Sequence, residues 1–398
     1  MTAPPSADVL DLLRATVLRL WPGASAEVVR ARRPDPTAEA ELLLLPHARS
    51  PRLLLPVLPA AAAGSVRRWS ATAGPAEVGA RALASAVLQA GGTRLLADRL
   101  RVHRAPAARD ADESLAAALA RWLDVPATAF SLGVGPARVN RKPVLQLFDP
   151  RGRTLGFAKL GDSPTAARHV REETAALRVL AGADLTTLRA PALLHAGTWR
   201  DVDVLVQEDL RVGPVAALAR RPGLLGRAAA ELTTAYAEDA RPLTALPWWA
   251  GLLDRARTAP DRATTDRLVR AADRVAARWP GPLPVSAWHG DWTPWNMAPG
   301  RGRDGGPALL VWDWERFETG VPAGLDAVHF AVNAATRRLG TSARVVREAL
   351  GGAGAVEAAY LVAVTARYLE MSAAPGGALV VPRALATLEA LESLLADR

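Results

Sequence analysis

The 398-residue chain contains no cysteine. Disulfides and thiolate metal sites are excluded, and any metal must be held by oxygen or imidazole ligands. The same absence fits a cytoplasmic protein. No apolar run approaches the roughly 20 residues that a helix needs to cross a bilayer. The first residues lack a basic stretch followed by an apolar one, so no secretory leader is expected. Repeats of fixed period and low-complexity tracts are missing as well. There is no Gx₄GK[ST] segment, which excludes a Walker-type phosphate loop. Lysine is nearly absent: among 49 basic residues only Lys142 and Lys159 are lysines. A lysine standing where chemistry needs one is therefore informative.

What is present is apolar and basic. Half of the residues (50%) are hydrophobic, enough to build real cores. At about 150 residues per domain the length suggests two or three units. A net charge of +9 suits an anionic ligand or nucleic acid. The arginines run along the whole chain instead of gathering in one block, which argues against nucleic acid.

Residues 1–127 read as a small mixed α/β unit. Asp8 to Leu20 has helical spacing and stops at Trp21-Pro22-Gly23. Glu41 to Leu45 and Arg52 to Leu58 are short apolar runs bounded by prolines, expected as strands. Ala76 to Ala90 and Asp112 to Leu123 are helix candidates. No chemistry shows in this part.

The pattern then changes. Residues 128–210 alternate short apolar runs, Val144 to Phe148, Thr154 to Leu160 and Asp203 to Val206, with one helix, Thr165 to Leu180. Residues 211–398 are dominated by helical segments, interrupted by a strand-like stretch from Met297 to Trp314. A strand-rich small lobe followed by a helical large lobe is the expected order, with ligand bound in a cleft between them.

The chemistry concentrates in Trp288-His289-Gly290-Asp291-Trp292-Thr293-Pro294-Trp295-Asn296. An aspartate with an asparagine five residues later suits a catalytic loop: the carboxylate orients or takes the proton of an acceptor hydroxyl. The asparagine oxygen is a hard neutral ligand for Mg²⁺. Leu309-Leu310-Val311-Trp312-Asp313 is an apolar run ending in an acid, and the turn-rich residues before it predict a hairpin. Such a hairpin would return Asp313 to the side of Asn296, so that an amide oxygen and a carboxylate face one cation.

Lys159 sits late in an apolar strand, where its stem would be buried and its ammonium would reach the phosphates of ATP. It needs a carboxylate to hold it. Glu173 shares a helix face with Leu177 and Leu180, which makes it the preferred partner; Glu172, about 100° away, is the runner-up. Gly133 and Gly135, ahead of Lys159, would let backbone amides approach phosphate. Arg138 adds a charge there.

Taken in order, Lys159, Glu173, the HGDWTPWN segment and the VWDWE segment resemble the aminoglycoside phosphotransferase and choline-kinase family. The resemblance runs from about Phe130 to the C-terminus and includes Gly324-Leu325-Asp326, an aspartate that is usually structural in that family. It implies an α+β, two-lobed protein-kinase-like fold preceded by the N-terminal accessory unit, with residues 128–210 as the nucleotide-binding small lobe. Residues 211–398 would carry the catalytic loop and the acceptor site. It further implies ATP and Mg²⁺ as cofactors, Asp291 as the base, Asn296 and Asp313 on the metal, and Lys159 with Glu173 on ATP. His289 would support the loop, and Gln207 and Glu208 would meet adenine through backbone groups.

There are departures. Gly290 stands where protein kinases have arginine, Trp314-Glu315 replaces their Phe-Gly, and no APE segment follows. All three favour a small-molecule hydroxyl acceptor over a protein. The family acts on aminoglycosides, choline, homoserine and sugars. The acids of the C-terminal part are matched by arginines, so a cationic acceptor has no special support and a neutral or anionic one, as in a maltose-kinase-like enzyme, fits at least as well. Trp248 and Trp249 either stack on a sugar ring or pack between helices. The competing reading, a kinase-like module that holds nucleotide without transferring phosphate, predicts a missing base, metal ligand or lysine, and none is missing.

Overall fold

The computed structural model describes residues 6–68, 75–106, 112–133, 142–213, 215–221, 223–374 and 376–397. The chain starts with α1 (Ser6–Leu20), β1 (Ala24–Arg30), β2 (Ala40–Leu45), β3 (Leu53–Pro56), α2 (Pro59–Arg67), α3 (Pro75–Gln89), β4 (Asp98–Arg104) and α4 (Leu115–Trp122). It continues through β5 (Ala129–Gly133), β6 (Val144–Phe148), β7 (Thr154–Gly161), α5 (Pro164–Ala181), β8 (Leu188–Arg189), β9 (Leu193–Trp199) and β10 (Val202–Gln207). Then follow α6 (Leu224–Ala235), β11 (Glu238–Arg241), α7 (Pro247–Arg257), α8 (Arg262–Arg278), β12 (Leu283–Trp288), β13 (Met297–Arg301), β14 (Pro307–Val311) and β15 (Glu318–Pro322). Four helices close the chain: α9 (Leu325–Leu339), α10 (Ala343–Ala349), α11 (Ala355–Ser372) and α12 (Val381–Ala396).

Two compact units emerge, Met1–Thr174 with Pro191–Leu210, and Ala175–Ala190 with Arg211–Arg398. The first is built on one nine-stranded sheet in the order β1-β4-β2-β3-β5-β6-β7-β10-β9. The division expected near residue 127 falls between α4 and β5, inside this unit. The sheet is continuous across it because β3 pairs antiparallel with β5, Leu53 opposite Gly133 and Leu54 opposite Leu132. Its core joins both stretches, with Leu54, Leu100 and Leu119 packed in one cluster with Leu132, Leu145 and Val204.

Sequence reasoning passed over β1 and β4 because both are rich in charge. The charges of β4 are paired with β2: Arg101 donates to Glu41 at 2.7 Å and Arg99 to the same carboxylate at 2.9 Å. Such pairing lets a polar strand sit in a sheet. The expected strand Arg52 to Leu58 is shorter, since Pro59 starts α2 at the position where proline suits a helix.

The second unit is a helical core flanked by two three-stranded sheets, β11-β12-β15 and β13-β14-β8. α8 begins at Asp261, whose side chain accepts the Thr264 N–H, and buries Leu268, Ala271, Ala272 and Val275 at helical spacing. α11 is buried nearly all round, as expected of a central helix. Trp248 and Trp249 on α7 are 8% and 5% exposed within this core. Of the two sequence-based alternatives, packing between helices is therefore the observed one. Among the described residues no helix is long and apolar enough to cross a membrane.

Candidate active site

The catalytic-loop segment follows β12. His289 takes the Asp291 N–H on Nδ1 at 3.1 Å, so its Nε2 carries the hydrogen donated to the Trp312 carbonyl at 3.1 Å. Asp326, at the start of α9, accepts the His289 and Gly290 N–H groups at 2.7 and 3.1 Å. Burial pushes the Asp326 carboxyl up, despite these donors. Arg367, from α11, donates to the Gly290 carbonyl at 2.6 Å and lies over the Trp288 ring at 4.9 Å. Burial and the neighbouring Arg316 hold its guanidinium down at about 10, still protonated at neutral pH. The loop is thus tied at His289, Gly290 and Asp291 before any ligand arrives.

Asp291 itself is bonded at both carboxylate oxygens. Asn296 Nδ2 donates to Oδ2 at 2.9 Å and to the Asp291 carbonyl at 3.0 Å. His329 Nε2 lies 3.3 Å from Oδ1. Burial pushes the carboxyl up, but the hydrogen bond from His329 and the charge of Arg316 work against it, and Asp291 is held at about 2. It is a carboxylate throughout the neutral range.

β13 and β14 form the hairpin expected after Asn296, Met297 opposite Val311. The Trp312 N–H closes it on the Asn296 carbonyl at 3.0 Å, and Asp313 follows with a left-handed φ of 70°. Trp314 turns inward and donates Nε1 to the Val311 carbonyl at 2.9 Å. Because Asn296 spends its amide N–H on Asp291, its Oδ1 is the atom left to act as a ligand. An amide oxygen and a carboxylate are hard donors, and this pair fits Mg²⁺.

In the sheet unit, Glu173 is fully buried on α5 and takes an ammonium on each oxygen. Lys159 on β7 reaches Oε1 at 2.5 Å, and Lys142, just before β6, reaches Oε2 at 3.1 Å. Glu172 is half-exposed, 4.0 Å from Arg168. Gly133 ends β5, and none of the described residues lies within 4 Å of where its Cβ would be; Gly135 and Arg138 lie outside the described residues. Gln207 closes β10, its buried Oε1 without a hydrogen-bond partner among the described residues. Gly156 on β7 is required here, because a Cβ would stand 2.3 Å from the Gln207 carbonyl oxygen. The Glu208 N–H is committed to the Ala192 carbonyl at 2.9 Å. Arg68, at the end of α2, donates to Asp209 and to the Leu210 carbonyl just beyond.

Four of these residues escaped the sequence reading. Lys142 had a signal, since it is one of only two lysines. His329 stands three residues after Asp326, on the same helix face. Tyr360 and Arg367 come from α11, whose approach to the loop no local pattern announces.

Residues 153–362, more than half of the chain, match the family model described as the phosphotransferase enzyme family. The chain belongs to this family of phosphotransferases, of protein-kinase-like fold. None of the curated proteins matches it in sequence. Similar solved structures include two proteins described as fructosamine-3-kinases. That of Thermobifida fusca is 19% identical, with a TM-score of 0.43 over 70% of this chain and 99% of that one. That of Haemophilus somnus is 12% identical, with a TM-score of 0.42 over 70% and 96%. A spectinomycin phosphotransferase, solved with ADP and spectinomycin, is 11% identical, with a TM-score of 0.37 over 68% and 89%.

Proposed function

We propose that the chain moves the γ-phosphate of ATP, with Mg²⁺, to a hydroxyl of a small molecule, and that Asp291 is the base. The observation that carries this is the pairing of Asp291 with Asn296: the amide N–H fixes the carboxylate at 2.9 Å and turns the amide oxygen into a ligand. In this reading one short loop supplies both the base and half of the metal site.

The ionised Asp291 accepts or orients the proton of the acceptor hydroxyl while the loop ties keep it in place. Asn296 and Asp313 would hold Mg²⁺, which when bound neutralises charge on the phosphoryl oxygens. Lys159, held by Glu173, would bind the ATP phosphates, and backbone amides around Gly133 and Gly135 would cradle them. Gln207 and Glu208 would meet the adenine. Residues 1–127 serve as an accessory part, 128–210 as the nucleotide-binding part and 211–398 as the part that carries the acceptor, in a cytoplasmic enzyme. The acceptor is a sugar, an amino alcohol or an aminoglycoside-like compound. A neutral or anionic member of that set fits at least as well as a cationic one, because Arg316 and Arg367 are among the charged groups near Asp291.

The test is transfer from γ-labelled ATP with Mg²⁺ to a pool of sugars, amino alcohols and aminoglycosides, with Asp291→Asn as control. A labelled product made only by the wild-type chain supports the reading. Equal labelling by the variant would remove Asp291 from the role of base.

A further inference from the structure

Two buried side chains stand directly behind Asp291. His329 on α9 places Nε2 3.3 Å from Asp291 Oδ1, and Tyr360 on α11 places its hydroxyl 3.2 Å from His329 Nδ1. His329 is 5% exposed and Tyr360 2%, whereas the Asp291 side chain is 30% exposed. A line of hydrogen bonds therefore runs out of the helical core and ends on the one accessible group of the three, the Asp291 carboxylate.

The direction of each bond follows from the donors. An ionised carboxylate only accepts, so His329 Nε2 carries the hydrogen. Nδ1 of the neutral ring is then an acceptor, and the Tyr360 hydroxyl must donate to it. Burial keeps the ring neutral by pushing the imidazolium down. The other tautomer would turn an Nε2 lone pair onto the carboxylate and leave two acceptors face to face. Asp291 therefore fixes the tautomer, and the Tyr360 hydroxyl, which can donate or accept, donates to the Nδ1 that this tautomer leaves bare. Asp291 Oδ2 is already held by Asn296. A carboxylate held at one oxygen can rotate about its broad terminal torsion, while one held at both cannot.

We propose that His329 is a positioning residue for Asp291, and that Tyr360, bonded to its Nδ1, holds the imidazole ring in the orientation that makes it one. The proposal rests on Asp291 being the base. His329 touches no substrate; it fixes the carboxylate plane so that the remaining lone pairs meet the acceptor hydroxyl in one orientation. A histidine that merely filled space would not need Tyr360, and a near-isosteric loss of the tyrosine hydroxyl would leave turnover alone.

The experiment compares the wild type with Asp291→Asn, His329→Ala, His329→Gln and Tyr360→Phe in the full chain, using Mg-ATP as the probe. The first readout needs no turnover: long-range ¹H–¹⁵N spectra of the imidazole nitrogens, with the His329 signal identified by its loss in His329→Gln. The wild type is expected to show Nε2–H with an Nδ1 that accepts a hydrogen bond, and Tyr360→Phe the same tautomer with its Nδ1 signal shifted by the loss of that bond. Nδ1–H in the wild type, or an unchanged ring in Tyr360→Phe, overturns the proposal. The second readout is release of inorganic phosphate to water. His329→Ala is expected to lower kcat by about 10- to 100-fold, the scale of a misplaced catalytic group, at unchanged KM for Mg-ATP. Added imidazole, or the amide donor of glutamine, should restore part of it, and Tyr360→Phe should lose less than His329→Ala. Equal losses in both His329 variants without imidazole rescue mark a structural histidine and overturn the proposal. If Asp291→Asn keeps full turnover, the assignment of the base fails instead; if it alone is inactive while the His329 and Tyr360 variants match the wild type, only the present proposal fails.

Discussion

Gly290 lies so close to Arg316 that a β-carbon on it would stand 2.4 Å from the Arg316 carbonyl oxygen. Its φ of 79° is also left-handed, so two independent constraints demand glycine beside Asp291. Gly290→Ala is expected to cost about 1–3 kcal/mol, the scale of strain at such a backbone position. It should also lower turnover, because the Gly290 carbonyl is where Arg367 anchors the loop. Urea midpoints and kcat measured together check both, and a variant of wild-type stability would refute the close approach.

Asp291→Asn is expected to reduce turnover by about 10²- to 10⁴-fold, the usual contribution of general acid–base catalysis. Affinity for Mg-ATP should persist. The pH profile adds a separate check. Asp291 is held at about 2, so it stays ionised at every pH an assay would use. Any fall in kcat between pH 7 and 5 must then come from another group. An acid limb that vanishes in a mutant altered only at Asp291 would contradict this.

Glu173 carries two ammonium partners, and removing it takes from Lys159 and Lys142 the buried carboxylate that they share. Breaking a buried ion pair at one partner typically costs about 3–5 kcal/mol. Glu173→Ala should approach that loss in denaturant titration and should weaken nucleotide binding. Lys142→Met should have the milder effect, since Lys159 keeps its own oxygen of the carboxylate. Identical behaviour of Lys142→Met and Lys159→Met in nucleotide binding would show that the two lysines share one task.

Glu231 on α6 gathers the N–H groups of Thr186, Thr187 and Leu188, the last at 2.6 Å. Burial pushes its carboxyl up, but these donors win and hold it below its ordinary 4.5. A carboxyl lowered on folding adds stability that is complete above its unfolded value and fades as pH falls through its folded one. Glu231→Gln is therefore expected to be less stable than the wild type at pH 7 by about 1–3 kcal/mol, the scale of hydrogen bonds to a charged group. The gap should close as pH drops below 4.5. A gap that is constant with pH would mean that the charge of Glu231 contributes nothing.

The parts of the site that share a short stretch of chain were legible in the sequence. Asp291 and Asn296 are five residues apart, and the turn-rich residues before Pro307 announced the hairpin. Helical spacing separated buried Glu173 from half-exposed Glu172. Less legible were contacts that depend on which helices pack together. Tyr360 lies 31 residues beyond His329, and only the packing of α11 brings its hydroxyl to the ring. In the fold, long apolar periodic helices such as α12 read clearly. β1 and β4 did not, because the strands they pair with lie far away in sequence. The join of β3 to β5 was hidden for the same reason: strand pairing between distant segments leaves no local pattern.

That join bears on any attempt to shorten the protein. A fragment beginning at residue 128 would retain every residue proposed for chemistry, yet its β5 would lose the neighbour on one flank. The bare N–H and C=O groups of β5 would then face solvent beside Leu132 and Phe130, both buried in the intact sheet. An exposed apolar strand flank of this kind recruits other strands. Self-association of such a fragment, visible as light scattering that grows with concentration, would report the missing neighbour and not a failure of the kinase chemistry.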